Sequence, residues 1–123
     1  MSLVRVLVVD DQALFRRVMS AVVDETDGFV LVGCAASGEE SIVSAGVLRP
    51  DLVLMDVNLP GIDGMEATRR LRGDATAAAV VLLSTYDEED WDGQAQECGA
   101  VAYVAKSAFG PDRLTEAWTM TGN

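Results

Sequence analysis

Three carboxylates, a hydroxyl and an ammonium stand at matching places in this chain, each directly after a short apolar run. Leu3-Val4-Arg5-Val6-Leu7-Val8-Val9 leads into Asp10-Asp11, and Asp51-Leu52-Val53-Leu54-Met55 leads into Asp56. Ala79-Val80-Val81-Leu82-Leu83 leads into Ser84, and Ala100 to Ala105 leads into Lys106, the only lysine in the chain. Carboxylates gathered without His or Cys select hard cations such as Mg²⁺, with Mn²⁺ as a second choice. Like charges about 4 Å apart repel by roughly 1–4 kcal/mol per pair, so the three acids call for such a cation if they meet. An ammonium and a hydroxyl beside them suit phosphoryl oxygens. Together these groups could clamp a phosphoryl group in transfer, chemistry that asks a protein mainly for positioning and charge neutralisation. Asp56 stands alone at its position and is the candidate nucleophile, since carboxylates form acyl phosphates in enzymes. Taken singly, Asp10 or Asp11 reads equally well as a helix cap, Ser84 as a strand-end residue and Lys106 as a surface amine.

The elements that must bring these groups together alternate along the chain. Near-continuous Val/Leu runs read as strands buried on both faces, as in a parallel sheet. Residues 11–25 carry Leu14, Val18 and Val22 at helical spacing, with Asp11 placed to cap the start. Asp27-Gly28 turns the chain into a second strand, Phe29 to Ala36. Ser37-Gly38-Glu39-Glu40 opens a helix that runs to about Leu48 and stops at Arg49-Pro50. After the strand ending at Asp56 comes a Pro/Gly loop, Asn58 to Gly64, and then a helix from Met65 to Arg72. Residues 87–98 form a helix weakened by Gly93, at a cost of about 1 kcal/mol relative to Ala. Gly99 closes it, and Pro111 opens a last helix bearing Leu114, Ala117 and Trp118. The expected fold is α/β: a five-stranded parallel sheet, doubly wound, with five helices on its two faces. In such sheets ligands bind beyond the carboxyl ends of the strands, which is where all five chemical groups fall.

Bulk properties narrow the function. The 123 residues suffice for one domain with a real core, half of them being apolar. A net charge of −11 repels nucleic acid, so DNA contact would belong to another domain. No apolar run approaches a membrane span and the first strand leaves no room for a signal peptide, so a cytoplasmic protein without membrane contact is expected. Histidine is absent, which removes the Ser-His-Asp triad and histidine-ligated metals. Cys34 and Cys98 lack metal or redox spacing and read as buried small hydrophobes.

From end to end the chain resembles the receiver domain of two-component response regulators. The resemblance rests on Val8-Val9-Asp10-Asp11, Pro50 through Asp56, Leu59-Pro60-Gly61-Ile62-Asp63-Gly64, Ser84, and Tyr103 with Lys106. Asp11-Gln12-Ala13-Leu14-Phe15-Arg16 and Glu66-Ala67-Thr68-Arg69-Arg70-Leu71 look most like the NarL/LuxR-type subfamily. The resemblance implies the flavodoxin-like receiver fold and a signalling phosphoacceptor rather than an enzyme, one that assists its own phosphorylation and autodephosphorylation. Asp56 would take a phosphoryl group from a phosphohistidine on a sensor histidine kinase or phosphotransfer protein. Asp11, Asp56 and the backbone carbonyl of Asn58 would hold Mg²⁺, with Asp10 acting largely through water. Lys106 and Ser84 would contact the phosphoryl oxygens, and Tyr103 would follow Ser84 in a switch. That switch would alter the surface formed by the 87–98 helix, the fifth strand and the last helix, and so control output or homodimerisation. Asn58 and Tyr86 would tune the lifetime of the aspartyl phosphate. The subfamily's C-terminal helix-turn-helix, which would carry DNA binding and transcription regulation, is absent from residues 1–123.

Two other functions fit less of the pattern. A haloacid-dehalogenase-like phosphatase also uses an aspartate nucleophile, but in a D-x-D arrangement in its first strand, where this chain has Asp10-Asp11-Gln12. A degenerate receiver, acting as a phosphorylation-independent interaction module, would have lost acceptor-site residues that are intact here.

Overall fold

The structure, a computed structural model, describes residues 2–73, 78–85 and 97–121. Its strands are β1 (Val4–Val9), β2 (Phe29–Ala35), β3 (Leu52–Asp56), β4 (Ala79–Ser84) and β5 (Ala102–Ala105). All pair in parallel in the order β2-β1-β3-β4-β5. The four α-helices among the described residues are α1 (Ala13–Glu25), α2 (Gly38–Leu48), α3 (Gly64–Gly73) and a C-terminal helix, Pro111–Thr119. Most of the expected 87–98 helix lies outside the described residues; Cys98 at its end is buried.

Strand alternation divides the core between the two faces of the sheet. Leu7, Val9, Val53, Met55, Val80 and Leu82 pack with Ala67 and Leu71 of α3. Val6, Val8, Leu52, Leu54, Val81 and Leu83 pack with Met19 and Val23 of α1 and with Leu114 and Ala117 of the C-terminal helix. Burial on both faces is why these strands read as unbroken apolar runs. At the outer edge β2 slips in register against β1: Val6 faces Leu31 but Leu7 faces Gly33, which leaves Val32 as a bulge.

The helix ends follow local chemistry. The Ser37 side chain accepts from the Glu40 N–H at 3.1 Å, and Glu40 Oε2 accepts from the Ala36 N–H at 3.3 Å, a near-reciprocal cap for α2. Arg49 ends α2 in the left-handed region at φ 49°, and Pro111 stands in the first turn of the C-terminal helix.

Three expectations need correction. Asp11 does not cap α1: the cap position is Gln12, whose N–H donates to Asp10 Oδ1 at 2.9 Å. Leu14 and Val18 do not face the core. They are 67% and 46% exposed, while Met19 and Val23 are buried. Apolar residues occur on both sides of α1, and those that meet the core are Met19, Val22 and Val23, further round the helix. Cys34 is exposed rather than buried, because it lies on the edge strand β2, where its Sγ meets Ser20 Oγ at 3.6 Å.

Candidate functional site

The connection from β2 to β3 passes over β1, so the winding direction changes between β1 and β3, where doubly wound sheets open their ligand crevice. Val9 pairs with Met55 there, which sets Asp10 and Asp56 side by side at the carboxyl edge. On β4, the strand next to β3, Ser84 pairs with Ala105, so Lys106 leaves β5 beside Ser84. Asp10 and Asp56 continue the alternate positions that face α1 (6 and 8, 52 and 54).

One carboxylate oxygen from each of Asp10, Asp11 and Asp56 lies within 4.8 Å of the others. Asp10 and Asp56 are buried and Asp11 is exposed, so two acids are withdrawn from water and the third faces the opening. Lys106 Nζ stands 2.7 Å from Asp10 Oδ2 and 3.4 Å from Asp56 Oδ2, with its side chain only 7% exposed. Asp10 Oδ2 is nevertheless buried with no well-directed hydrogen bond, so the ammonium approaches it as a charge. Asp56 Oδ1 accepts from the Asn58 N–H at 3.2 Å. The Asp56 carboxyl is raised above the ordinary aspartate value: burial is the main cause, the Asp10 charge adds to it, and Lys106 and the Asn58 N–H oppose. Two close acids, one desolvated and one with an oxygen lacking a directed partner, with no nitrogen or sulfur donor in the set, fit a hard divalent cation.

The loop beyond Asp56 is held close to that residue. The Gly64 N–H donates to the Val57 carbonyl at 2.9 Å, and a Cβ at Gly64 would run into the Asp56 carbonyl oxygen. Only glycine lets α3 begin so near Asp56. On the far side Glu39 Oε2 accepts from the Ile62 N–H at 3.4 Å, which ties the same loop to the start of α2.

Asp10, Asp11, Asp56 and Lys106 are thus brought into one cluster, as the spacing implied. Ser84 is buried at the same sheet edge. Asn58 is exposed and touches Asp56 through its N–H. Tyr103, opposite Leu82 in the sheet, is half-buried against the α3-side core. Tyr86 lies outside the described residues. Three site residues had no role in the sequence reading. Phe15 sets its ring 4.0 Å from Lys106 Nζ, Arg16 Nη1 donates to the Asp10 carbonyl at 2.7 Å, and Gly64 makes room for Asp56. The glycine carried a signal, since a second glycine closes a loop that already has its turn at Pro60-Gly61; the other two depend on how α1 is rotated.

Comparison with known proteins agrees with this geometry. Residues 6–119 match the response regulator receiver domain family. The response regulator GacA of Pseudomonas viridiflava is 42% identical over 106 residues, 86% of this chain and 50% of that protein. UvrY of Escherichia coli is 31% identical over 106 residues, 86% of this chain and 49% of its own length. The signal receiver domain of NarL from Mycobacterium tuberculosis superposes with a TM-score of 0.88 at 26% identity, covering 100% of both chains. The chain spans about half the length of the curated relatives it matches. Among the described residues no helix is long and apolar enough to cross a membrane.

Proposed function

This chain belongs to the receiver domain family of response regulators, and from that premise we propose that Asp56 is the phosphoacceptor of a two-component system. The observation that carries the proposal is the meeting of Asp10, Asp11 and Asp56 oxygens within 4.8 Å, with Lys106 Nζ 3.4 Å from Asp56 Oδ2. The donor is a phosphohistidine on a sensor kinase or phosphotransfer protein. An Asp56 oxygen attacks phosphorus, the new O–P bond forms as the P–N bond breaks, and the electron pair stays on the imidazole nitrogen. Lys106 turns from the two carboxylates toward a phosphoryl oxygen, and Ser84 meets another from the neighbouring strand.

Asp11, Asp56 and the Asn58 carbonyl would hold Mg²⁺, with Asp10 acting largely through water, and the ion would supply the charge neutralisation that three acids and an incoming phosphoryl group require. The chain's own residues position that charge. Burial fixes Asp10 and Asp56, and the Asn58 N–H orients Asp56 so that its second oxygen is the one offered to phosphorus. Asn58, two residues past Asp56, and Tyr86, two past Ser84 in the sequence, set the rate of autodephosphorylation. Tyr103 follows Ser84 when the site is filled, and the surface carrying β5 and the C-terminal helix changes its partner affinity.

In the whole protein we infer a cytoplasmic transcription regulator whose DNA contacts lie in an output domain outside residues 1–123. Self-association on phosphorylation is supported by Leu14 and Val18 on α1 and by Met120 after the C-terminal helix, all exposed. Sedimentation with and without a phosphoryl mimic checks it, and a monomer in both conditions would rule it out. For the acceptor itself, intact-protein mass after incubation with acetyl phosphate and Mg²⁺ is decisive. One added phosphoryl group in the parent and none in Asp56→Asn supports the proposal. No gain in the parent would leave a phosphorylation-independent interaction module on the same fold.

A further inference from the structure

Resting on that reading of Asp56, we propose that Phe15 is a positioning residue, whose ring face holds the Lys106 ammonium at the acceptor while leaving it free to turn toward the phosphoryl group. Lys106 Nζ lies 4.0 Å from the Phe15 ring centroid, inside the range where a ring quadrupole attracts a cation. Two carboxylates also stand beside it, Asp10 at 2.7 Å and Asp56 at 3.4 Å, and the side chain is nearly closed to water. A long, flexible lysine stem gives the ammonium many places to go. A third carboxylate in the position of Phe15 would hold it by a permanent ion pair, and water there would hydrate it. An aromatic face attracts the charge without offering a lone pair, so each N–H stays available for exchange from carboxylate to phosphoryl oxygen.

The ring itself is firmly carried. Phe15 stands on the first turn of α1, which Met19 and Val23 anchor to the sheet. The next residue, Arg16, donates to the main-chain carbonyl of Asp10 at 2.7 Å. Ring and carboxylate are therefore fixed to one another through adjacent residues, and the ammonium sits between them.

Because Lys106 is the only lysine, lysine labelled at its ε-carbon reports this one contact as a single NMR signal. In the parent, the ε-methylene protons should resonate upfield of free lysine through the ring current, with or without Mg²⁺. Phe15→Tyr keeps the shift, and Phe15→Leu loses it; Phe15→Met, nearer in volume, serves as a second test of the same loss. Phosphoryl uptake from acetyl phosphate should slow about three- to thirtyfold in Phe15→Leu and stay near the parental rate in Phe15→Tyr. In a Lys106→Met chain, adding Phe15→Leu should bring no further slowing, a result that a merely structural role would not give. An unshifted ε-methylene signal in the parent, or parental uptake in both Phe15→Leu and Phe15→Met, would overturn the proposal alone. Absence of uptake in the parent would overturn the acceptor reading and this proposal with it.

Discussion

Lys106 is held closer to Asp10 than to the proposed acceptor, with Nζ at 2.7 Å from Asp10 Oδ2 against 3.4 Å from Asp56 Oδ2. In the ground state its charge is committed mainly to a buried acid that is not the nucleophile. On the proposed function, transfer would exchange one ion pair for another, and the ammonium would have only a short way to move.

Removing the ammonium should be costly for stability as well as for function. In Lys106→Met, Asp10 and Asp56 remain buried without a cationic neighbour, and loss of one partner from a buried pair costs about 3–5 kcal/mol. Urea unfolding in the presence of a chelator should detect this loss. Saturating Mg²⁺ should restore part of the stability while phosphoryl uptake stays impaired. Unchanged stability would mean that the pair is solvated in solution.

Asp56→Asn should change the pH dependence of unfolding. The native carboxyl is raised above its ordinary value of 3.8, so the folded state binds a proton more tightly than the unfolded state does. Stability then falls as pH rises from about that ordinary value through the raised one. The stabilising share of the protonated acid is complete at low pH and gone at neutral pH. Without divalent cations, the asparagine variant should lack this decline and be the more stable form at pH 7. Denaturant midpoints measured from pH 4 to 8 for both chains decide the matter.

Divalent cation should stabilise the parent by mass action, about 2.7 kcal/mol at a free concentration of a hundred times Kd. Asp11 is exposed, so Asp11→Asn leaves the core intact and should abolish most of that gain. Thermal unfolding with Mg²⁺ and with a chelator compares the two chains directly. An equal rise in Tm for both would take Asp11 out of the ligand set.

Two glycine substitutions should act in opposite directions. Gly64→Ala places a methyl against the Asp56 carbonyl and should destabilise by about 1–3 kcal/mol while slowing phosphoryl uptake. Gly46→Ala, inside α2 with nothing near its Cβ position, should stabilise by about 0.5–1 kcal/mol and leave uptake unchanged. Chemical denaturation and mass-detected phosphorylation on the same samples separate the two effects.

The sheet and its functional edge were legible because burial on both faces writes each strand as a run of Val and Leu that ends where the chain meets solvent. Asp10, Asp56, Ser84 and Lys106 stand at those ends, so their meeting required only the topology. The rotation of α1 was not legible. Leu14, Phe15, Val18, Met19, Val22 and Val23 supply two apolar rows one position apart, and only packing against β1 and β2 selects between them. Phe15 went unassigned for that reason, since its contact with Lys106 joins residues that are distant in the chain. Cys34 was misjudged for a related cause: whether a strand lies at the edge is decided by strand order, which its own composition does not record.

The slipped pairing of β2 has a consequence for how molecules of this protein meet one another. An open sheet offers its outermost strand as a template on which a neighbour's strand can add, the first step toward fibrous aggregates. On β2 the run of donors and acceptors is broken at Val32, so an incoming extended segment loses step partway along and cannot pair over the full length. The bulge thus protects the apolar β2 edge against uncontrolled polymerisation, with no charged residue or proline between Phe29 and Ala35 needed to do it.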